Sequence, residues 1–311
     1  MNATARSFRP AAVRGGRGRV RVGRDMIVLS VIGYTLVGLF AFLALFPFLL
    51  LVTNSFASEH AVVYYGFRIL PKELSLKAYG LVFEFPARTI HTYLLTIFIV
   101  GVGTAVSLFL SAMGAFVLAR KDVRYRNILA FYLYFTQLFQ GGLVPYYLLV
   151  TRGLHLQDTL LVLLLVPMFN VINIFILRGY MMSSIPASLY DAAKIDGAGD
   201  FRIYVGLVLP LSGPALAAIG LFTALGYWND WWTPMMFIQS DSLFPLQYTL
   251  YRILSSVEFA SQMVNNVPLQ NEPQETLKLA MTVIATGPVV LVYPFLQRYF
   301  VRGVAIGAVK G

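Results

Sequence analysis

The sequence predicts an all-α integral membrane protein with six transmembrane helices and a cytoplasmic elbow between the fourth and the fifth. Hydrophobic residues make up 58% of the 311 residues and charged residues 12%, whereas soluble domains have about 45–50% and about 25%. This is too little charge to cover a soluble globule of this size. Apolar runs of about 20 residues recur along the chain, and a helix of that length crosses a bilayer.

Six apolar runs are assigned as spans, and several contain residues that perturb helices. The predicted spans are 26–52, 89–119, 127–150, 159–177, 203–227 and 279–297. The perturbing residues in them are Gly141, Gly142, Pro145, Pro210, Pro214, Pro288 and Pro294. Because lipid offers no hydrogen bonds, a broken helix needs protein or water neighbours for its freed backbone groups. The kinks indicate either a bundle built around a pathway or ordinary kinked packing.

The distribution of positive charge orients these spans. An even number of spans puts both termini on one side, and Lys and Arg accumulate in cytoplasmic segments. With both termini inside, the cytoplasmic segments hold 17 of the 24 Lys and Arg residues. We therefore expect a basic cytoplasmic tail over 1–25, a six-span domain over 26–304 and a cytoplasmic C-terminal tail over 305–311, in an inner membrane.

The tail before the first span contains seven arginines, separated mainly by small residues and proline. Basic runs can form phosphate patches, but the position of this one, directly before a span, favours a tail that orients the membrane domain. We do not expect nucleic-acid binding. The apolar run after it exceeds the roughly 7–15 residues of a cleaved signal peptide.

The segment 183–203 is polar and charged, and it lies between two predicted spans. "SSIPASLYDAAKIDG" predicts a short helix that Ser183 or Ser184 caps, with Pro186 near its first turn. Gly197 is expected to end this helix in the left-handed conformation. Asp200 is then placed to cap a second helix that leads into the fifth span. Together these features predict an elbow at the cytoplasmic membrane surface.

Small and charged residues alternate on this elbow in a way that suits an interface. Ala192 and Ala193 form a bare patch that another backbone or a groove could approach, and Asp191, Lys194 and Asp196 surround it. The alternative is an amphipathic elbow that rests on lipid headgroups. An anchoring elbow would be expected to carry bulkier apolar groups and more Lys or Arg.

At this point the sequence resembles the permease subunits of binding-protein-dependent ABC importers of the carbohydrate uptake class. The resemblance rests on the coupling-loop pattern, in which Asp191, Ala192 and Ala193 stand where Glu-Ala-Ala is usual, followed by "IDGAG" and "LPLSGP". It continues through "TNSFASE", "FQGGLVPYYLLV", "GYWNDWW", "FPLQYTL" and "GVAIGAVKG". The last four motifs are most similar to the subgroup associated with complex oligosaccharides from plant or algal polysaccharide.

The resemblance implies a mechanism and a set of partners. In that family the elbow docks in a cleft of an ATPase subunit, and closure of the ATPase dimer drives the permease pair between its inward-facing and outward-facing states. The implied partners are a second homologous permease subunit, two ATPase subunits and an external solute-binding protein. The implied coupling positions are Pro186, Asp191, Ala192, Ala193, Asp196, Gly197, Pro210 and, in the C-terminal tail, Lys310. A solvated C-terminal end without contacts is the alternative for the tail.

The chain itself carries no recognisable catalytic chemistry. It has no phosphate-binding loop of the G-x-x-x-x-G-K-[ST] type, so ATP and Mg²⁺ are expected in the partner subunits and no cofactor or metal in this chain. It has no cysteine, and its three histidines, His60, His91 and His155, are far apart in the sequence. A membrane-embedded enzyme is therefore disfavoured. A self-sufficient secondary transporter or channel is the alternative, weakened because the predicted spans lack the ionisable residue that ion-coupled carriers use.

Polar and aromatic residues in the spans are candidates for a sugar pathway, because sugars offer hydroxyls to amides and apolar faces to rings. The candidates are Gln137, Asn170, Asn173, Tyr227, Trp228, Asn229, Asp230 and Trp231. An aromatic belt at headgroup level is the more usual explanation of such an aromatic cluster, and the amides could bond helix to helix.

The outer segment from Gln239 to Gln274 is long enough to be functional. The resemblance implies that it contacts the solute-binding protein, with Tyr248, Tyr251 and Arg252 as the contact residues. A passive cap over the bundle is the alternative.

Overall fold

The computed structural model describes residues 24–84, 86–263 and 273–308, and these ranges form helices and connections without a regular β-strand. The α-helices are α1 (Arg24–Ser55), α2 (Glu59–Tyr65), α3 (Lys77–Val82), α4 (Pro86–Ala119), α5 (Arg126–Leu138), α6 (Leu143–Leu148), α7 (Leu160–Leu165), α8 (Val171–Ser184), α9 (Ala187–Ile195), α10 (Asp200–Ile203), α11 (Leu209–Leu211), α12 (Gly213–Trp228), α13 (Trp232–Phe237), α14 (Leu246–Met263) and α15 (Gln274–Ala308). The predicted all-α class is confirmed.

The chain divides into two compact units, one up to Leu50 and one from Leu51 onward. The described part of the first unit is most of α1, whose apolar side chains are exposed along the helix. The second unit contains every other helix. In it α4 packs against α8 and α12, and α12 packs against α15. These four helices form the centre of the packing, and buried residues of α7, α10, α13 and α14 add to the core.

Among the described residues, two helices are long and apolar enough to cross a membrane, Asp25–Ser55 and Pro86–Ala119. A third is reached if Asp200–Leu211 and Gly213–Trp228, which meet at 81°, are counted as one bent span. The predicted count of six spans stays a prediction.

The third and fourth predicted spans are not single helices. Over 127–150, α5 ends at Leu138 and α6 begins after Gly142, whose φ of +89° lies in the left-handed region that glycine adopts without strain. Over 159–177, α7 and α8 are separated by a segment that contains Pro167. Proline lacks an N–H and disfavours a helical residue before it. The sequence analysis identified the glycine break and overlooked Pro167.

Side chains from neighbouring helices satisfy the backbone groups at the break between α7 and α8. The Tyr227 hydroxyl donates to the Leu164 carbonyl at 2.7 Å, and the Ser107 hydroxyl donates to the Met168 carbonyl at 2.6 Å. Both donors lie on the packed faces of α12 and α4. The break is therefore supported by the two helices that contact it.

The proline kink in α15 is satisfied in the same way. Because Pro288 has no N–H, the carbonyl of Ile284, four residues before it, lacks its helical partner. The Tyr93 hydroxyl donates to that carbonyl at 2.6 Å, and the Trp228 indole donates to the neighbouring carbonyl of Ala285 at 3.0 Å. These two bonds tie α4 and α12 to α15.

A glycine allows α4 and α12 to approach closely. A Cβ at Gly103 would lie 2.6 Å from the Tyr227 ring, at Cζ. The ring cannot move away easily, because its hydroxyl is bonded to Leu164. Small residues commonly permit such close helix contacts in membrane proteins.

The start of α15 is held by a carboxylate from α2. Glu59 accepts hydrogen bonds from the backbone N–H groups of Glu275 at 2.8 Å and Thr276 at 2.9 Å, and from the Thr276 hydroxyl at 2.8 Å. A carboxylate at a helix N-terminus satisfies free N–H groups and interacts favourably with the helix dipole. This contact joins segments more than 200 residues apart in the sequence.

Replacing Gly103 by alanine is expected to destabilise the packed unit by about 1–3 kcal/mol, the usual cost of overpacking. Gly101→Ala is the matched control, because it lies on the same helix and a Cβ there meets nothing within 4 Å. The measurement is the thermal denaturation midpoint of the purified protein in detergent. Equal midpoints for the two variants would contradict the close contact with Tyr227.

Tyr93→Phe is expected to cost about 1–3 kcal/mol, since it leaves the buried Ile284 carbonyl without a donor. In a Pro288→Ala background the restored N–H at position 288 supplies that donor, so the same tyrosine change should be nearly neutral. Denaturation midpoints of the four proteins in this double-mutant cycle test the pairing. The same loss in both backgrounds would show that the tyrosine acts through something other than the proline break.

Candidate functional site

The elbow helix α9 begins directly after Pro186, which is its N-cap residue. The prediction that Ser183 or Ser184 caps this helix is wrong, because both serines belong to the last turn of α8. Proline stops α8 since it has no N–H to continue the ladder, and its fixed φ suits the start of a new helix. The elbow therefore starts one turn later than expected.

The end of α9 follows the prediction. Gly197 has a φ of +78°, its N–H donates to the Lys194 carbonyl at 3.0 Å, and the N–H of Ala198 donates to the Ala193 carbonyl at 2.9 Å. This is the Schellman arrangement, which satisfies the free carbonyls of a helix end. The left-handed glycine is confirmed.

Asp200 does not cap the second helix. The N-cap of α10 is Gly199, and Asp200 is the first residue of the helix. Its carboxylate instead accepts a hydrogen bond from the Arg120 guanidinium. A buried cation competes successfully for a carboxylate that could otherwise cap a helix, because the charged pair forms the stronger bond.

The two alanines of the elbow face different ways. Ala192 is exposed, whereas Ala193 is half-buried and packs with Tyr190 on the core formed by α4, α8 and α12. The predicted bare patch of two alanines is therefore wrong for Ala193. The exposed face includes Ala192, Asp191 and Asp196, and it also includes Ile195, whose side chain is 86% exposed.

An ion cluster that sequence analysis did not find fastens the elbow to the end of α4. Arg120, only 9% exposed, donates to both carboxylate oxygens of Asp122 and to Asp200. Lys194 donates to Asp122 at 2.6 Å. Lys194 and Asp200 lie on opposite sides of the Gly197 turn, so the cluster holds the turn from both sides.

Charged neighbours in this cluster shift the pKa values of Arg120 and Asp122. Hydrogen bonds from the Arg120 guanidinium, and then from the Lys194 ammonium, hold the pKa of the Asp122 carboxyl well below its usual range. The carboxylates of Asp122 and Asp200 raise the pKa of Arg120 above its ordinary value. Arg120 and Asp122 are therefore both charged at neutral pH.

Asp122→Asn is expected to lower stability by about 1–2 kcal/mol at pH 7, because it removes the bidentate partner of a buried arginine whose other partner, Asp200, is exposed to screening solvent. A carboxyl with a depressed folded pKa stabilises the fold above its unfolded pKa and loses that effect as pH falls. The difference between the two proteins should therefore persist from pH 7 to about pH 5 and shrink below about pH 4. Asp191→Asn, an exposed change on the same elbow, is the control. A stability difference that does not change with pH would argue against the charged pair of Arg120 and Asp122.

Three of the predicted pathway residues lie together in a polar niche between α4, α8 and α12. Asn170, Asn173 and Tyr227 line it. The Asn170 side chain caps α8 by accepting from the N–H groups of Ile172 and Asn173. The Asn173 amide donates to the Thr223 hydroxyl at 3.3 Å.

Ser107 and Thr223 complete this niche and were not predicted. Ser107 belongs to a stripe of small and polar residues spaced three or four apart on the buried face of α4, which includes Thr92, Thr96 and Ser111. That spacing is a signal that could have identified them. The niche has a volume of about 140 Å³, well below the roughly 300–1,000 Å³ of ligand sites. In this conformation the niche is too small for an oligosaccharide.

The remaining pathway candidates lie elsewhere. Gln137 is exposed on α5, and Trp228 is buried with its indole bonded to Ala285. Asn229 donates to the Leu225 carbonyl, and the Asp230 carboxylate accepts from the N–H groups at the start of α13. Trp231 is exposed and stacks on Tyr251.

The predicted contact residues for a binding protein share one surface on α14. The rings of Trp231 and Tyr251 are 4.7 Å apart and nearly parallel, and Tyr248 lies parallel to Tyr251 at 6.4 Å. Arg252 pairs with Asp241 at 3.0 Å. Nearby, Asp158 accepts from Gln239 and Ser240, and these bonds lower the pKa of its carboxyl.

Pro210 and Lys310 are the two predicted coupling residues outside the segment 183–203. Pro210 lies on α11, beyond the π-helical segment Tyr204–Val208 that follows α10. Lys310 lies outside the described residues. In the part of the chain that the structure describes, no group of three His, Cys, Asp or Glu residues is placed to hold a metal ion.

Broken apolar helices and the continuous helix α4 surround a polar niche, and an exposed elbow is fastened to the end of α4. This arrangement suits a membrane transport subunit. The chain is 38% identical over 291 residues to the polygalacturonan/rhamnogalacturonan transport system permease protein YtcP of Bacillus subtilis (strain 168), covering 92% of this chain and 98% of that protein. It is 29% identical over 287 residues to the arabinooligosaccharides transport system permease protein AraQ of Halalkalibacterium halodurans, covering 91% and 96%.

A solved structure agrees with these relatives. One chain in the crystal structure of a bacterial ABC transporter involved in the import of the acidic polysaccharide alginate matches with a TM-score of 0.76 and 32% identity, covering 89% of this chain and 98% of that one. No family model matches the sequence. The chain belongs to the permease subunits of ABC importers for carbohydrates.

The family resemblance expected from the elbow and its neighbouring motifs is therefore confirmed. The protein is a transport subunit rather than an enzyme, and it is a membrane protein. Permeases of this family in general work with a second permease, an ATPase and a binding protein.

Proposed function

We propose that this chain carries an oligosaccharide, released from a plant or algal polysaccharide, across the inner membrane of a bacterium by alternating access. The observation that carries the substrate class is the 38% identity along nearly the whole length of a polygalacturonan/rhamnogalacturonan permease. The likeness to a chain of an alginate importer supports an acidic sugar polymer as the source. The pathway passes the niche at Asn170, Asn173 and Tyr227, which opens when the helices around it move.

The elbow receives the conformational change of the ATPase subunits and passes it to the membrane domain. Its outer face combines Ala192, which leaves room for a partner surface, with the protruding apolar side chain of Ile195 and the carboxylates of Asp191 and Asp196. Pro186 and Gly197 fix the two ends of the helix. Such a rigid projection with a small central residue suits insertion into a cleft of an ATPase subunit.

The complete transporter contains a second homologous permease, two ATPase subunits and an external solute-binding protein. ATP and Mg²⁺ bind to the ATPase subunits, and this chain binds no cofactor. Both termini are cytoplasmic, as the distribution of Lys and Arg favours. Pro210 supports the bend that follows the elbow, and Lys310 in the C-terminal tail adds an ion pair to the ATPase.

The binding protein docks on the side opposite the elbow. The stacked rings of Trp231, Tyr251 and Tyr248, with Arg252 beside them, offer an aromatic and cationic surface of the kind that is enriched in protein interfaces. The remaining pathway candidates, Gln137, Trp228, Asn229 and Asp230, have structural partners or exposed positions and serve the pathway only by shaping its walls.

Gly197→Val tests the coupling in the assembled transporter. A β-branched residue at a φ of +78° is strained by the backbone conformation itself, and a Cβ there meets nothing within 4 Å. We expect ATP hydrolysis stimulated by the binding protein to fall at least about tenfold, because 1–2 kcal/mol of strain at the turn displaces the elbow.

Gly199→Val is the matched control. Gly199 is two residues away and equally open, but its φ of −69° and ψ of 160° are ordinary for valine. This variant should keep the stimulation. Loss of stimulation in both variants, or in neither, would argue against a role for the left-handed turn. Sugar uptake into liposomes by the chain without ATPase subunits would contradict the importer proposal as a whole.

A further inference from the structure

A cavity of about 390 Å³ lies between α3, the first turns of α4, α14 and α15, and the pathway does not use it. Its volume falls within the roughly 300–1,000 Å³ of small-molecule sites. The wall is mainly apolar, with Leu81, Phe244, Leu250, Ile253, Leu277 and Ile284 among the lining residues. The site is separate from the polar niche, with which it shares no lining residue.

Three of the four hydroxyl groups in the wall donate to the backbone. Thr89 donates to the Val82 carbonyl at 3.1 Å, Thr249 to Pro245 at 3.0 Å, and Ser256 to Ile253 at 2.9 Å. Their protons are therefore used inside the protein. A sugar, which needs many hydrogen-bond partners, finds few here, whereas a hydrocarbon chain needs none.

Two arginines at the rim give the cavity a net positive charge. Arg88 and Arg252 each donate to one oxygen of the same carboxylate, Asp241, at 3.0 Å. Two cations against one anion leave an excess of one positive charge. Each guanidinium has five N–H donors, so both retain donors for a second anion, and arginine binds phosphate well.

The cavity lies at the level where a membrane boundary is expected. Arg88 is in the first turn of α4, the helix Pro86–Ala119 that is long and apolar enough to span a bilayer. Leu277 and Met281 of the opposite wall lie where the predicted sixth span begins. At that level a phosphate group and the start of an acyl chain are adjacent, and arginine side chains extend toward headgroups.

We propose that this cavity binds one anionic phospholipid, with an acyl chain in the apolar interior and the phosphate on Arg88 and Arg252. The bound lipid fills the space between α14 and the start of α15 and fixes α14 against the membrane domain. Arg252 thereby has a lipid ligand on the cavity side.

The test uses the assembled transporter in bilayers of equal phosphatidylglycerol and phosphatidylcholine, transferred to detergent, with retained lipids counted by native mass spectrometry. We expect one retained phosphatidylglycerol. Arg88→Gln combined with Arg252→Gln should reduce its retention about tenfold, because the charge-assisted bonds to phosphate are lost. Thr249→Phe, which fills the interior and keeps both arginines, should reduce it similarly.

A charge-matched control separates this site from general attraction to the membrane. Lys121→Gln combined with Arg124→Gln removes the same charge from exposed positions beyond the other end of α4 and should leave retention unchanged.

If Thr249→Phe does not assemble, Ser256→Phe blocks the cavity from an exposed position instead. Equal retention of the two lipids, unchanged retention in both cavity variants, or displacement of the lipid by a galacturonic acid oligomer would overturn the proposal. In the unaltered complex and in Thr249→Phe, which keeps Arg252, the binding-protein-stimulated ATPase assay reports on the transport function separately from lipid retention.

Discussion

A backbone carbonyl that a helix break frees inside a bilayer needs a donor from the protein or from water, because lipid supplies none. Within the described residues, side chains supply that donor at two breaks. Tyr227 and Ser107 serve the break between α7 and α8, and Tyr93 serves the proline kink in α15. The donors lie on α4 and α12, so these two helices fix the positions of the broken ones.

The same constraint explains where the polar niche forms. A broken helix exposes backbone groups and needs polar neighbours, and the niche is the space that those neighbours, Ser107, Asn173 and Tyr227, enclose. The features that permit the breaks therefore also supply groups that a sugar can contact. The helix breaks thus account both for the packing of this region and for the position of the polar niche.

α4 connects this niche to the elbow. Ser107 lines the niche from the middle of α4, and Arg120, directly after its last residue, binds the elbow through Asp122 and Asp200. A continuous helix of 34 residues transmits a displacement of one end to the other. A displacement of the elbow is thus expected to reach the niche, because α4 carries groups of both.

The sequence predicted what depends on composition and local conformation. Apolar runs located helical segments but not the break at Pro167, and the left-handed turn at Gly197 followed from glycine's freedom. The family motifs identified the protein class. The sequence did not predict contacts that depend on packing. Arg120 and Asp200 are 80 residues apart, and nothing local indicates that Asp200 binds an arginine instead of capping its helix. Likewise, the sequence suggests that Tyr227 and Trp228 are belt or pathway aromatics. In the structure, the Tyr227 hydroxyl and the Trp228 indole donate to carbonyls of other helices.

The central claim is that the exposed face of α9 is covered by an ATPase subunit in the working transporter. Because the chain has no cysteine, Ala192→Cys gives a single thiol on that face, and Leu76→Cys gives one on an exposed segment far along the chain. The measurement is the rate of maleimide labelling with and without the ATPase subunits. The account predicts that assembly slows labelling at position 192 at least about tenfold, as burial in an interface core requires, and leaves position 76 unchanged. Equal labelling of position 192 in both states would contradict it.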